Sequence, residues 1–230
     1  GMIMSDSNHQ STLSQKQIDS VINLYSNGDY QGAIDQIKIL NKSYPNVPFL
    51  FNLIGACYKE LGELKGAVTM FETAVDIKPD YAEAHKNLGI TLRDIGQLEA
   101  AAKTLKKAIE VDPGYVDAHY NLAITFNDLG QFTDAIDYYE KTIALNPNFA
   151  AAHNNLGNVL NGLGRNKYAI QSFEEAIRIN PNFAEAFSNL GNVYKELNKF
   201  NSAVSSYQKA IKIKPNFIEA YNNLGILFDE

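Results

Sequence analysis

Six of the seven prolines stand 34 residues apart, at Pro45, Pro79, Pro113, Pro147, Pro181 and Pro215. A spacing repeated through most of the chain makes it a tandem array, and the repeat limits the fold before any single residue does. With each proline at position 32 of a unit, the units run 14–47, 48–81, 82–115, 116–149, 150–183 and 184–217. A half unit follows at 218–230.

The other columns keep the same phase. Position 20 is Ala33, Ala67, Ala101, Ala135, Ala169 and Ala203. Position 8 is Gly55, Gly89, Ala123, Gly157, Gly191 and Gly225, and position 7 runs Ile54, Leu88, Leu122, Leu156, Leu190 and Leu224. Position 24 is Phe71, Leu105, Tyr139, Phe173 and Tyr207, after Ile37 in the first unit. Within a unit the apolar residues recur at steps of three and four, as in Leu98, Ala101, Ala102, Leu105, Ala108 and Ile109. That is helical spacing. Gly28, Gly62, Gly96, Gly130 and Gly164, with Asn198 in the sixth unit, divide each unit in two, as a turn between helices requires. The proline ends the second helix, since it lacks an N–H and biases the residue before it away from helix. Each unit therefore reads as an antiparallel helix pair, A then B. The small residues at positions 8, 20 and 27 let the backbones approach, and a larger side chain at Ala135 is expected to cost about 1–3 kcal/mol by overpacking. A lone pair cannot bury its apolar sides, so the pairs must stack.

These columns resemble the tetratricopeptide repeat, with its L-G-x2-Y, A-x3-F and P pattern at period 34. The likeness covers 14–230. It departs in the first unit, where Gln17, Ser20 and Val21 occupy positions 4, 7 and 8, and at position 4, which is His85, His119 and His153 in three units. The resemblance implies an all-α fold, a right-handed superhelical solenoid, with helix A of each unit lining a concave surface. It also implies a module that binds proteins.

At 45% apolar and 20% charged, the sequence has an ordinary globular composition. No stretch approaches the ~20 apolar residues of a membrane span, so no membrane contact is expected. A net charge of −6 is the wrong footprint for nucleic acid. Cys57 is the single cysteine; it reads as a small buried thiol and fits a reducing, cytoplasmic setting. Residues 1–13 lie outside the pattern and read as a tag remnant followed by a flexible or capping segment. The array stops after helix A of a seventh unit. Truncation of a longer protein is the favoured reading of that end, over a lone helix that serves as the cap, and an uncapped half repeat is expected to self-associate through its apolar residues.

No catalytic site is expected. The histidines recur once per unit, at a spacing of about 8–10 Å between stacked helices, whereas zinc ligands lie ~2.0–2.1 Å from the metal. Packing is the reading, with no metal and no cofactor. No nucleophile has a base beside it.

The candidate binding residues lie on helix A. Asn87, Asn121, Asn155, Asn189 and Asn223 recur at position 6, with Asn52 one place earlier. The resemblance places position 6 in the groove. A carboxamide there presents a donor and an acceptor once per unit, which suits the backbone of an extended peptide. The superhelical arm of O-linked N-acetylglucosamine transferase carries a similar asparagine ladder. Asparagine at position 6 is also common in the family generally and serves hydrogen bonding between helices, so the residues alone leave both roles open. Neighbouring groove positions add Lys86, Tyr120 and Asn154 at position 5, Asn158 and Asn192 at position 9, and Arg93, Asn127, Asn161 and Lys195 at position 12. The family's clamp for a terminal carboxylate is missing, because Lys86 is followed by Ile90 and position 2 is acidic, as at Glu83 and Asp117. The expected partner is a protein or extended, roughly neutral peptide. Replacing Asn121, Asn155 and Asn189 by alanine is expected to abolish its binding with little shift in thermal unfolding. The expected function is a non-catalytic interaction module; the alternative is the substrate-recruiting arm of a larger transferase with its catalytic domain beyond residue 230.

Overall fold

The structure, a computed structural model, describes residues 12–229, with side chains as far as Leu227. The expectation for the N-terminal segment falls mostly on residues 1–11, outside the described residues. Thirteen α-helices and no strand occur among the described residues. The A helices are α1 (Gln15–Ser26), α3 (Pro48–Glu60), α5 (Ala82–Ile95), α7 (Val116–Asp128), α9 (Ala150–Gly162), α11 (Ala184–Glu196) and α13 (Ile218–Asp229). The B helices are α2 (Tyr30–Ser43), α4 (Leu64–Ile77), α6 (Leu98–Val111), α8 (Phe132–Leu145), α10 (Asn166–Ile179) and α12 (Phe200–Ile213). Every B helix has 14 residues and begins at position 17 of its unit.

Local chemistry sets these bounds. Ser14 caps α1 in a capping box with Gln17, satisfying two of the N–H groups that a helix start leaves open. The mid-unit glycines take φ between +74° and +96°, and Asn198 takes +60°. This left-handed turn reverses the chain, and asparagine is the usual substitute for glycine there. At the other end Tyr44, Lys78, Asp112, Asn146, Asn180 and Lys214, each just before a proline, have φ from −127° to −139°. The proline ring forces that extended geometry and stops the helix one residue earlier.

The chain divides into two compact units between Asn121 and Leu122, inside α7. In the first, α1 to α6 pack in chain order, each against the next. Its core includes Val21, Ile34, Ile37, Leu50, Ile54, Phe71 and Leu105, all at 2% exposure or less. In the second, α8 to α13 do the same, around Leu122, Tyr139, Phe173, Val193 and Tyr207. The position-20 alanines are fully buried in all six repeats.

The glycine at position 8 explains how closely A and B approach. A Cβ on Gly55 would lie 2.7 Å from the Phe71 ring, on Gly157 2.6 Å from Phe173, and on Gly191 2.7 Å from Tyr207. Position 24 thus sits directly on a bare Cα. Close packing at this density leaves no room for a methyl group without displacement.

Candidate functional site

The candidate residues lie on the A helices, and the structure divides them by what their side chains touch. Lys86, Tyr120, Asn87, Asn121, Asn155, Asn189, Asn192, Asn223, Arg93, Asn127, Asn161 and Lys195 are half-buried, Asn154 is buried, and Asn158 is exposed.

Several of the amides bond to one another across repeats. Asn87 Nδ2 donates to Asn52 Oδ1 at 3.0 Å, and Asn189 Nδ2 donates to Asn154 Oδ1 at 3.0 Å. Each pair joins position 6 of one A helix to position 5 of the preceding A helix, 35 residues earlier. Asn52 Nδ2 lies 3.4 Å from the Tyr81 hydroxyl. Ser188 occupies position 5 of the sixth unit, and its short side chain offers no amide oxygen. There Asn223 Nδ2 donates instead to Asn192 Oδ1 at 3.1 Å. Tyr207, from helix B, donates its hydroxyl to the same oxygen. Asn121 Nδ2 donates within its own helix, to Asp117 O at 2.7 Å.

The ladder therefore differs from a row of unengaged amides. At Asn87, Asn189 and Asn223 part of the carboxamide is used to tie one A helix to the one before it. A carboxamide has two N–H donors and two acceptor lone pairs, so one such bond leaves binding capacity. It also fixes the rotamer, which lowers the entropy a ligand must remove. Sequence reasoning placed Asn52 one position early without giving it a role. The available signal was its separation of 35 from Asn87, matched by Asn154 and Asn189.

The cations of the first unit are held the same way. Arg93 donates to Asn121 O and Oδ1, both at 3.1 Å. Lys86 Nζ lies 5.7 Å from the Tyr115 ring centroid, within cation–π range. Lys59 Nζ lies 3.8 Å from Asp94 Oδ2. Burial lowers the Lys59 pKa; Asp94 opposes this, while Arg93 and Lys86 add to it. Burial likewise raises Tyr81 to about 12, helped by Glu83 and opposed by its contact with Asn52. In the second unit Asn161 Nδ2 lies 3.4 Å from Glu196 Oε1.

The histidine column has a structural role that sequence reasoning missed. His85, His119 and His153 each direct Nε2 at the carbonyl of the proline six residues earlier, at 2.7, 2.8 and 3.0 Å. A carbonyl only accepts, so Nε2 is the donating nitrogen. The ring staples the loop between repeats to the start of the next A helix. Among the described residues, no group of three or more His, Cys, Asp or Glu side chains is gathered to hold a metal ion. Cys57 is fully buried, and burial pushes its thiol up to about 11.

A shallow cleft of about 360 Å³ lies along α8, α9 and α10, lined by Glu140, His153, Leu156, Leu160, Tyr168, Gln171, Ser172 and Glu175. None of the candidate binding residues lines it. No helix among the described residues is long and apolar enough to cross a membrane.

Comparison with known proteins agrees with this architecture. Residues 55–93, 89–127, 157–198 and 191–229 match the family model described as TPR repeat, and 116–149 and 138–171 match models described as tetratricopeptide repeat. The crystal structure of MamA is 30% identical, covers 70% of this chain and 95% of its own, and has a TM-score of 0.66. Pseudomonas aeruginosa PilF is 17% identical, with a TM-score of 0.79 over 90% of this chain and 94% of its own; at that identity it speaks for the fold alone. Anaphase-promoting complex subunit 3 of Dictyostelium discoideum is 39% identical over 56 residues, 24% of this chain. The match spans only 6% of that subunit.

Proposed function

The chain belongs to the tetratricopeptide repeat family, a family of protein-interaction modules, and from that premise we propose that its A-helix surface binds an extended segment of a protein partner. The partner's main chain supplies the N–H and C=O groups that the carboxamides match, so recognition depends little on its side chains. The observation that carries this reading is the half-buried amide at position 6 of the A helices, held at Asn87, Asn189 and Asn223 by a neighbour from the preceding repeat. A row of amides serving only the fold would be enclosed. Instead Asn158 is exposed, and Asn155 and Asn192 are half-buried.

The chain acts by binding and performs no catalysis of its own. It works as a scaffold in the cytoplasm, without cofactor or metal. Its acidic balance disfavours nucleic acid, whose phosphates need a basic surface, and no helix among the described residues is long and apolar enough to cross a membrane.

The test is affinity capture followed by mass spectrometry, with the intact chain beside a variant carrying Asn155→Ala and Asn158→Ala. The variant is expected to lose the captured partner while its urea unfolding curve shows that it remains folded under the capture conditions. Capture that is equally strong with both proteins would refute the groove.

A further inference from the structure

The hydrogen bonds at Asn192 differ from those of the other groove asparagines, because one partner comes from the core. Tyr207 on α12 is fully buried, and its ring lies against Gly191. From there its hydroxyl reaches Asn192 Oδ1 on α11, the same oxygen that accepts from Asn223 Nδ2 of α13. A carboxamide oxygen has two lone pairs, and both are now engaged. The amide's remaining valences are its two N–H groups, on a side chain that is half-buried rather than enclosed.

We infer that Tyr207 is a positioning residue that turns the Asn192 carboxamide so that it can only donate, making this point of the groove a site for an acceptor oxygen of the bound segment, either a main-chain carbonyl or a carboxylate. The inference rests on the proposed groove reading and adds a polarity to it. The preceding repeat is an internal comparison. Asn158 occupies the equivalent position 9, but position 24 there is Phe173, which presses on Gly157 in the same way and has no hydroxyl. Asn158 is exposed, with no core group to set its orientation. The glycine at position 8 belongs to the device, since a Cβ at Gly191 would meet the Tyr207 ring at 2.7 Å and push it away. Burial also raises the Tyr207 pKa, to about 12, so the phenol stays protonated and donating across the neutral range. Lys195, three residues on along α11 and half-buried, adds a positive charge on the same helix face.

The test reads the side-chain amide signals of Asn192 and Asn158 by NMR on the full chain. Two probes are titrated: N,N-dimethylacetamide, which has a carbonyl and no N–H, and acetate. The Asn192 pair is expected to shift saturably with at least one probe, and Asn158 is not. A response to dimethylacetamide alone assigns the site to a main-chain carbonyl, and a response to acetate alone assigns it to a carboxylate. Tyr207→Phe keeps the ring on Gly191 and should weaken the response about threefold or more, the scale of one net hydrogen bond. Asn192→Asp keeps an oxygen toward Tyr207 and Asn223, so it should unfold at nearly the parent urea concentration while abolishing the probe shifts of neighbouring signals. The inference is overturned by an Asn192 pair that ignores both probes or responds equally in Tyr207→Phe. It is overturned equally if Asn192→Asp destabilises as much as Asn192→Ala. Should the Asn155 and Asn158 replacements abolish capture while Tyr207→Phe changes nothing, the groove stands and this polarity falls.

Discussion

Asn189 is where the proposed binding surface and the fold meet. Its Nδ2 bonds Asn154 Oδ1, and Asn154 is only 6% exposed. Replacing Asn189 by alanine leaves that oxygen buried without its partner, at a cost of about 1–3 kcal/mol. Urea denaturation should register this loss, whereas Asn158→Ala at its exposed position should stay within about 0.5 kcal/mol of the parent. The sequence-based expectation of little thermal shift for the asparagine replacements therefore changes at Asn189. The column of asparagines was legible in the sequence, because a period of 34 displays it. The bonds within it were not. They join position 6 to position 5 of the neighbouring helix, and which side chains meet there depends on how two A helices lie together. Cys57 was legible in full: a single cysteine within the repeat predicted a small buried thiol, and the structure encloses it. A thiol with no exposure and a raised pKa should resist a thiol reagent such as DTNB in the native protein and react once urea unfolds it. Fast reaction of the native protein would contradict that burial.

Among the elements, the A/B contact at position 8 leaves no room for a Cβ at Gly55, Gly89, Gly157 or Gly191. Gly157→Ala would gain roughly 1 kcal/mol of helix propensity. The new Cβ would also lie 2.6 Å from the Phe173 ring, and overpacking of this kind costs about 1–3 kcal/mol. Displacement of a buried ring outweighs propensity, so the variant should unfold at lower urea, and Phe173→Leu beside it should recover part of the loss. The helix pairs were readable in the sequence, since turn glycine and proline recur at fixed positions and each acts locally. The histidine staple was hidden because it is a contact between a ring and a main-chain oxygen, which no composition column reveals; only the constant separation of six from each proline hinted at it. The half repeat carries its own prediction. On α13, Ile218 is 72% exposed and Tyr221 and Ile226 are each 48% exposed. Gly225 has nothing within 4 Å of a built Cβ, unlike the glycines of the repeats that a helix B covers. We propose that this face mediates self-association at high concentration. Light scattering should show a mass that rises with concentration and falls back to the monomer in Ile218→Asp with Ile226→Asp.

Across the whole molecule, the strongly shifted titrating groups share one sign. Cys57 is raised to about 11 and Tyr81 and Tyr207 to about 12, while Tyr25, Tyr115 and Tyr194 are raised as well, all chiefly by burial. Each of these groups is an acid whose neutral form the fold favours. Their ordinary values are 9.0 for the cysteine and 10.0 for the tyrosines. Above those values the unfolded chain loses protons that the folded chain still holds, so the unfolded state binds fewer, and stability falls as pH rises. Lys59 works in the opposite sense. Its pKa is lowered from 10.5, so the unfolded chain binds the extra proton and stability rises with pH up to about that value. One lysine stands against six raised acids, and the fall should prevail. The urea midpoint is therefore expected to decline between about pH 9 and pH 12. Tyr207→Phe and Cys57→Val each remove one titrating group while keeping an apolar side chain, and valine already fills the Cys57 column at Val159 and Val193. Each should flatten its share of the decline. A midpoint that held steady or rose to pH 12 would mean these hydroxyls and this thiol reach water more freely than the packing of the repeats allows.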